Sequence, residues 1–250
     1  MTLPGLPLAP NDFPRIPLDF RYRPAERAPD PKRIATLHEV VRTGSSNEIE
    51  IGLINVGRSC ESNALAVLFM AIEPDTGNSL IHTAVAARRI DAMDTLRRCF
   101  RADNMMKFKK LFDILYCHQN RAGNTILHSA VQTGEQDIVT AAFRIFHGDH
   151  LTVVDDAWQR SSQPPAAEDL PWSEEDDDGM RIPHLMFLLK QNAHGRTAAA
   201  EARALGHDNL AVWLEEILQR SDPQRERDNP DTAQLWREFC ADYYGYVDSE

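Results

Sequence analysis

No apolar run in this sequence is long enough to cross a bilayer. The longest, Ala64 to Ile72, falls far short of the roughly 20 residues a spanning helix needs. Prolines 4, 7 and 10 stand where a signal peptide would carry an apolar core, so a soluble protein of the cytoplasm or nucleus is expected, with no membrane partner. Cysteine is scarce: Cys60, Cys99, Cys117 and Cys240 form no C-x-x-C pair, a spacing that fits reduced thiols and neither a disulfide framework nor a zinc site. Basic residues are too few to balance the acids, 27 against 38 for a net charge of -11, which argues against general affinity for nucleic acid.

Catalytic and metal motifs are missing as well. There is no G-x-G-x-x-G or Walker loop to cradle phosphates, and no G-x-S-x-G elbow. His38-Glu39-Val40-Val41-Arg42 comes within one residue of the zinc motif H-E-x-x-H, yet a cation occupies the second ligand position and cannot bind the metal. Glu174 to Gly179 resembles the opening of a calcium loop, but its twelfth position is Leu185 and Pro183 breaks the following helix. His147 and His150 flank Asp149 without a third ligand nearby. The expectation is a protein with no enzyme activity, no metal, no cofactor and no small-molecule substrate.

What is present is a repeated pattern. In Asn120 to Phe146, Gly123 supplies a turn with positive φ, Thr125 caps a helix, and Ile126, Leu127 and Ala130 begin its apolar face. Gly134 ends that helix, and Asp137 is the expected cap of a second, whose Ile138, Val139, Ala142, Phe143 and Phe146 recur at helical spacing. Asp75 to Phe100 repeats the arrangement with Gly77, Ser79, Ile81, His82, Ala84, Ala92, Met93 and Leu96. Asn192 to Leu218 repeats it with Gly195, Thr197, Ala202, Gly206, His207, Leu210, Ala211 and Leu214. A weaker copy, Ile34 to Leu53, keeps Leu37, His38, Val40, Val41 and Gly44 but lacks the turn glycine, and is taken as an N-terminal cap. One such unit cannot bury both of its apolar faces alone, so the units are expected to stack.

These residues resemble the ankyrin repeat family, with its Gly, Thr-Pro-Leu-His, paired small residues, Gly-His and apolar second helix. The chain departs from that pattern at Leu80, Ile126 and Ala198 in place of proline, at Arg88 in place of the helix-ending glycine, and at Ala200 in place of histidine. The resemblance implies an all-α, ankyrin-type helical solenoid with projecting turns, used for protein binding. It also gives His82 and His128 a structural role, tying the first helix to adjacent turns through ring hydrogen bonds.

The expected organisation is a Pro-rich extended tail over 1–31 and a repeat domain over 32–220, with units near 34–53, 75–100, 120–146 and 192–218. An acidic loop is inserted at 149–181, and 221–250 form a linker and an amphipathic C-terminal helix. The tail holds eight of the fifteen prolines, which precludes a helical face of its own. Intervals between units exceed the family period of about 33 residues. Each insertion ends in an apolar segment, Ala64 to Ile72, Met105 to Tyr116 and His184 to Lys190, expected as lengthened outer helices or an extra helix on the convex side. From Asp155 to Asp178 nine acids face only Arg160, and Trp158 and Trp172 lie among them. Near the C-terminus, Leu235, Trp236, Phe239 and Tyr243 share one side of an expected helix from Asp231 to Tyr244, read as a cap on the last unit or as a helix for a partner's groove.

Two functions remain open. In the first, the chain is an adaptor whose concave face binds another protein. Resemblance puts the contacts at Asp75, Thr76, Asn78, Ala86 and Ala87, at Arg121, Asn124, Gln132 and Thr133, and at His194, Arg196 and Leu205. In the second, the acidic loop with Trp158 and Trp172 escorts a basic client of the ribosomal-protein or histone type. A third reading has the same loop fold back on the basic stretch Arg88 to Lys110 and inhibit the chain's own concave face.

Overall fold

The computed structural model describes residues 27–101, 115–146 and 187–221. These residues are helical, with no strand among them, and no helix is long and apolar enough to cross a membrane. Residues 1–26 of the proline-rich tail, the acidic stretch with Trp158 and Trp172, the His147–His150 cluster, most of Met105 to Tyr116 and the segment 222–250 lie outside the described residues; Pro31, expected in the tail, opens the first helix instead.

The helices come in pairs: α1 (Pro31–Thr43) with α2 (Ser46–Ser59), α4 (Leu80–Ala86) with α5 (Ile90–Arg101), α6 (Ile126–Val131) with α7 (Gln136–Phe143), and α8 (Ala198–Ala204) with α9 (Asp208–Ser221). The short α3 (Ala64–Met70) stands between the first two pairs, and a 3-10 turn, Arg144–Phe146, extends α7. First helices are short because their ends are built in. Ser79, Thr125 and Thr197 each accept the backbone N–H three residues on, which satisfies a donor that the helix start leaves unpaired. The first pair starts differently: Asp30 caps α1 directly and Pro31 takes the first helical position, so no turn glycine is needed. Its helices run past the expected 34–53 span on both sides. A reciprocal Ser45–Glu48 capping box restarts the chain at once as α2. In the third pair the cap of the second helix is Glu135 rather than Asp137, which falls in the first turn of α7.

Packing follows from the apolar stripes. First helices lie side by side in the order α1, α4, α6, α8, while α2, α5 and α7 contact one another behind them. The buried residues form one core cluster that runs from Ile34 to Ile217. Phe143 of α7 and Trp213 of α9 meet edge to face at 5.8 Å, an arrangement that aligns the ring edge of one with the π face of the other.

The inserted apolar segment does not cover the outside. Every residue from Leu65 to Ile72 is at most 5% exposed, and α3 packs on both α2 and α5. A helix on the convex surface would keep a solvent face. The unbroken run Leu65-Ala66-Val67-Leu68-Phe69-Met70 has no polar side to show water, so it is internal.

Loops behind the first helices tie consecutive pairs. The Arg89 guanidinium donates to the carbonyls of Arg42 at 3.1 Å and Gly44 at 2.7 Å. Arg88, which holds φ +59, forms an ion pair with Glu135 at 2.8 Å. Its backbone takes the left-handed conformation that Gly134 and Gly206 adopt at the matching positions, a conformation that a Cβ disfavours by about 1–2 kcal/mol.

Two glycines separate backbone strain from close approach. A Cβ on Gly123, at φ +74, would lie 2.5 Å from the Ala193 nitrogen, whereas one on Gly195, at φ +70, would meet nothing within 4 Å. Gly195→Ala is expected to destabilise by about 1 kcal/mol, and Gly123→Ala by about 2–4 kcal/mol because the neighbouring turn must also move. Arg88→Gly is expected to leave stability equal or raise it by up to about 1 kcal/mol. Urea unfolding midpoints measure all three, and equal losses at Gly123 and Gly195 would contradict the close approach.

Candidate functional site

The turns that precede α4, α6 and α8 form a row held by backbone bonds and by buried or half-buried Asn and His side chains. Within each turn a hairpin-like bond closes the loop: Glu73 N–H to Asn78 C=O, Asn120 N–H to Asn124 C=O and Asn192 N–H to Arg196 C=O, at 2.8–2.9 Å. Asn120 and Asn192 brace their turns further, each side-chain oxygen accepting two backbone N–H groups. Between turns, Arg121 N–H donates to Thr76 C=O at 2.8 Å and Ala193 N–H to Ala122 C=O at 3.1 Å. The Asn120 amide adds a bond to the Asn78 side-chain oxygen at 2.9 Å.

Buried histidines lock this row to the helices below. The His82 Nε2 lies 3.0 Å from the Asn124 carbonyl, and the His128 Nε2 lies 2.9 Å from the Arg196 carbonyl. A carbonyl only accepts, so Nε2 carries the proton and Nδ1 is left as an acceptor. That acceptor faces the Ser79 hydroxyl at 2.9 Å in one unit and the Thr125 hydroxyl at 2.8 Å in the other. His38 ties α1 to other elements instead, with the Ala71 carbonyl at the end of α3 at 3.2 Å and the Thr83 hydroxyl of α4 at 2.6 Å. His118, edge-on to His82, reaches the Gly77 carbonyl at 2.9 Å. Sequence reading singled out His82 and His128 for this work; His118, two residues before a turn, carried no periodic signal.

The proposed contact residues separate into two rows. Asp75, Thr76, Arg121, His194 and Arg196 are exposed on the turns, and Asn78 is half-buried. Ala86, Gln132 and Leu205 are exposed at the C-terminal ends of α4, α6 and α8, where Ala87 and Thr133 are half-buried. Asn124 does not belong with them. It is 8% exposed, because its carbonyl is shared by Asn120 N–H and the His82 ring and its N–H is held by Asn120. Thr133 is also committed inward, donating to Ala130 C=O and accepting from Glu135 N–H.

Glu201 draws three residues together beneath the rows. Burial would raise its carboxyl, but hydrogen bonds from Asn192, Arg196 and Gln132 and the Arg196 charge outweigh this and hold it below the ordinary glutamate value. Arg196 lies 3.4 Å away and Asn192 3.1 Å. Arg196 therefore offers a partner only part of its guanidinium. Glu73 and Asp75 at one end of the row oppose Arg121 and Arg196 farther along, so the turn face is of mixed charge. Among the described residues no group of three His, Cys, Asp or Glu side chains is placed to hold a metal. No family model and no curated protein matches this sequence.

The histidines make the fold sensitive to acid. Burial chiefly, with neighbouring histidine charge, pushes His82 down from 6.5 to about 3. Burial pushes His128 down to about 4, and His38 is lowered for the same reason. The folded values lie below the unfolded one, so between them only the unfolded chain binds the proton. The stabilising contribution is complete above pH 6.5 and is lost as pH falls toward 4 and then 3. Each group is expected to add a slope of roughly 1 kcal/mol per pH unit. Carboxylates such as Glu201 act in the same direction only below their own ordinary value of 4.5. Unfolding midpoints between pH 7 and pH 5, about the range where imidazole dominates, should fall steadily in the native chain and more shallowly in His82→Gln with His128→Gln. A flat native profile would contradict neutral, buried rings.

Proposed function

We propose that the chain is an ankyrin-type helical solenoid that acts as a non-catalytic adaptor in the cytoplasm or nucleus. It binds another protein through the concave face between the two exposed rows. The observation that carries this reading is the backbone bonding between neighbouring turns, Arg121 to Thr76 and Ala193 to Ala122, which fixes the turns from which Asp75, Arg121 and His194 are exposed without using those side chains. Preformed contacts of this kind lose little conformational freedom on binding, so more of the interaction energy survives as affinity. The pairing of a Ser or Thr cap, a buried histidine and a left-handed residue after the first helix also supports the family reading, unit by unit.

Asp75, Arg121 and His194 are the residues expected to matter most, and Gln132 is shared with Glu201. Asn124 is scaffold, and Arg196 is shared with Glu201. The escort alternative rests on the acidic stretch with Trp158 and Trp172, and the same experiment separates the two.

Affinity capture from native-cell extract, with partners identified and quantified, would use the native chain, Arg121→Glu with His194→Glu, and Arg58→Glu on the exposed side of α2. Partner recovery is expected to fall about ten-fold or more in the turn variant and to persist in the α2 variant. Recovery unchanged in the turn variant overturns the adaptor reading. Recovery of basic proteins lost only on deleting 155–178 would favour the escort.

A further inference from the structure

The last helix pair ends in a hollow that the preceding pairs do not have. Between α8 and α9 lies a groove of about 390 Å³, floored by Leu188, Ala199, Ala200, Ala204, Leu214 and Leu218. The Arg203–Glu215 ion pair, at 2.8 Å, stands on its rim. In earlier units the positions matching Ala199, Ala200 and Arg203 are Ile81, His82 and Val85, then Leu127, His128 and Val131, and all six are at most 1% exposed. They are covered because α4 is followed by α6 and α6 by α8. Among the described residues no further first helix packs against α8. Ala200 and Arg203 are exposed and Ala199 is half-buried.

The substitutions at these positions say what kind of structure covers the groove. Histidine in the earlier units donates to a carbonyl of the next turn, and Ala200 has nothing to donate. The occupant is therefore not a further turn-and-helix unit of the same design. Alanines in place of Leu, Ile and His leave a concavity, so the occupant must bring bulk. A second copy docking through the same face would set one hollow against another and leave a void, which close-packed interfaces avoid.

We infer that the groove between α8 and α9 is the docking site for this chain's own segment 231–244, with Trp236 and Phe239 filling the alanine floor. The described chain ends at Ser221, the last residue of α9, whose own Leu214 and Leu218 line the groove. The residues between 221 and 231 can extend over about 30 Å, more than enough to double back over roughly two turns of helix. Leu235, Trp236, Phe239 and Tyr243 recur at helical spacing on one side, a stripe suited to an apolar groove. The docking is independent of whether the concave face binds a partner.

The test places a photo-crosslinking amino acid at Arg203 in the full chain and maps the products. The expected product is an adduct within one chain to a peptide from 231–244, migrating as monomer. An adduct joining two chains, or one to another protein, overturns the assignment in favour of that occupant. A second measurement does not perturb the groove: hydrogen exchange of 198–218 in the native chain and in Trp236→Asp with Phe239→Asp. Those substitutions lie outside the helix pairs, so the pairs should fold in both. Protection in the groove helices is expected to drop by about ten-fold or more in the variant; unchanged protection overturns the proposal.

Discussion

A neutral imidazole donating from one helix pair to a backbone carbonyl of the next is the bond on which the described structure depends. His82 and His128 make it, His38 reaches instead the Ala71 carbonyl at the end of α3, and all three rings are buried. Removing the His82 or His128 ring would leave the Asn124 or Arg196 carbonyl held only by the N–H of its own turn, and would cost the bond between units. Protonating it would remove the acceptor that the Ser or Thr cap needs. At His82 and His128 the same side chain thus fixes the start of its own helix and the position of the neighbouring turn.

This constraint explains why the turn face is stiff although its exposed side chains are few and small. Asn120 and Asn192 spend their oxygens on backbone N–H groups, and Asn124 gives its backbone to Asn120 and His82. What remains for a partner is the set of exposed turn residues whose side chains the turns do not use: Asp75, Arg121 and His194. Glu201 modifies the last unit by holding Arg196 and Gln132 toward the fold.

The two ends of the array are treated differently. At the first, α1 is longer than the other first helices and starts from an Asp-Pro cap, and α2 is backed by α3, buried from Leu65 onward. At the other, the place of the histidine is taken by Ala200, and the surface is hollow. An array in which each unit covers its predecessor always leaves one face uncovered, and here that face has a size and chemistry of its own.

The helices were legible in the sequence because caps and apolar spacing are local. Ser79, Thr125 and Thr197 sit before apolar runs and cap helices as expected, and the left-handed position at Gly134 and Gly206 marks the end of each first helix. Local pattern could not rank residues within a turn. Arg121 and Asn124 are three apart in one loop, yet one is exposed and the other buried, because the His82 ring comes from a different unit. Nor could it show that Leu65 to Ile72 is covered on every side, since an unbroken apolar run has no period to orient it. The sequence by itself determined where helices begin, end and turn apolar, through interactions between residues a few positions apart. Only the tertiary structure decided which carbonyl each histidine reaches, which turn residues face solvent, and that Ala199 and Ala200 open a groove, because those outcomes depend on contacts between units far apart along the chain.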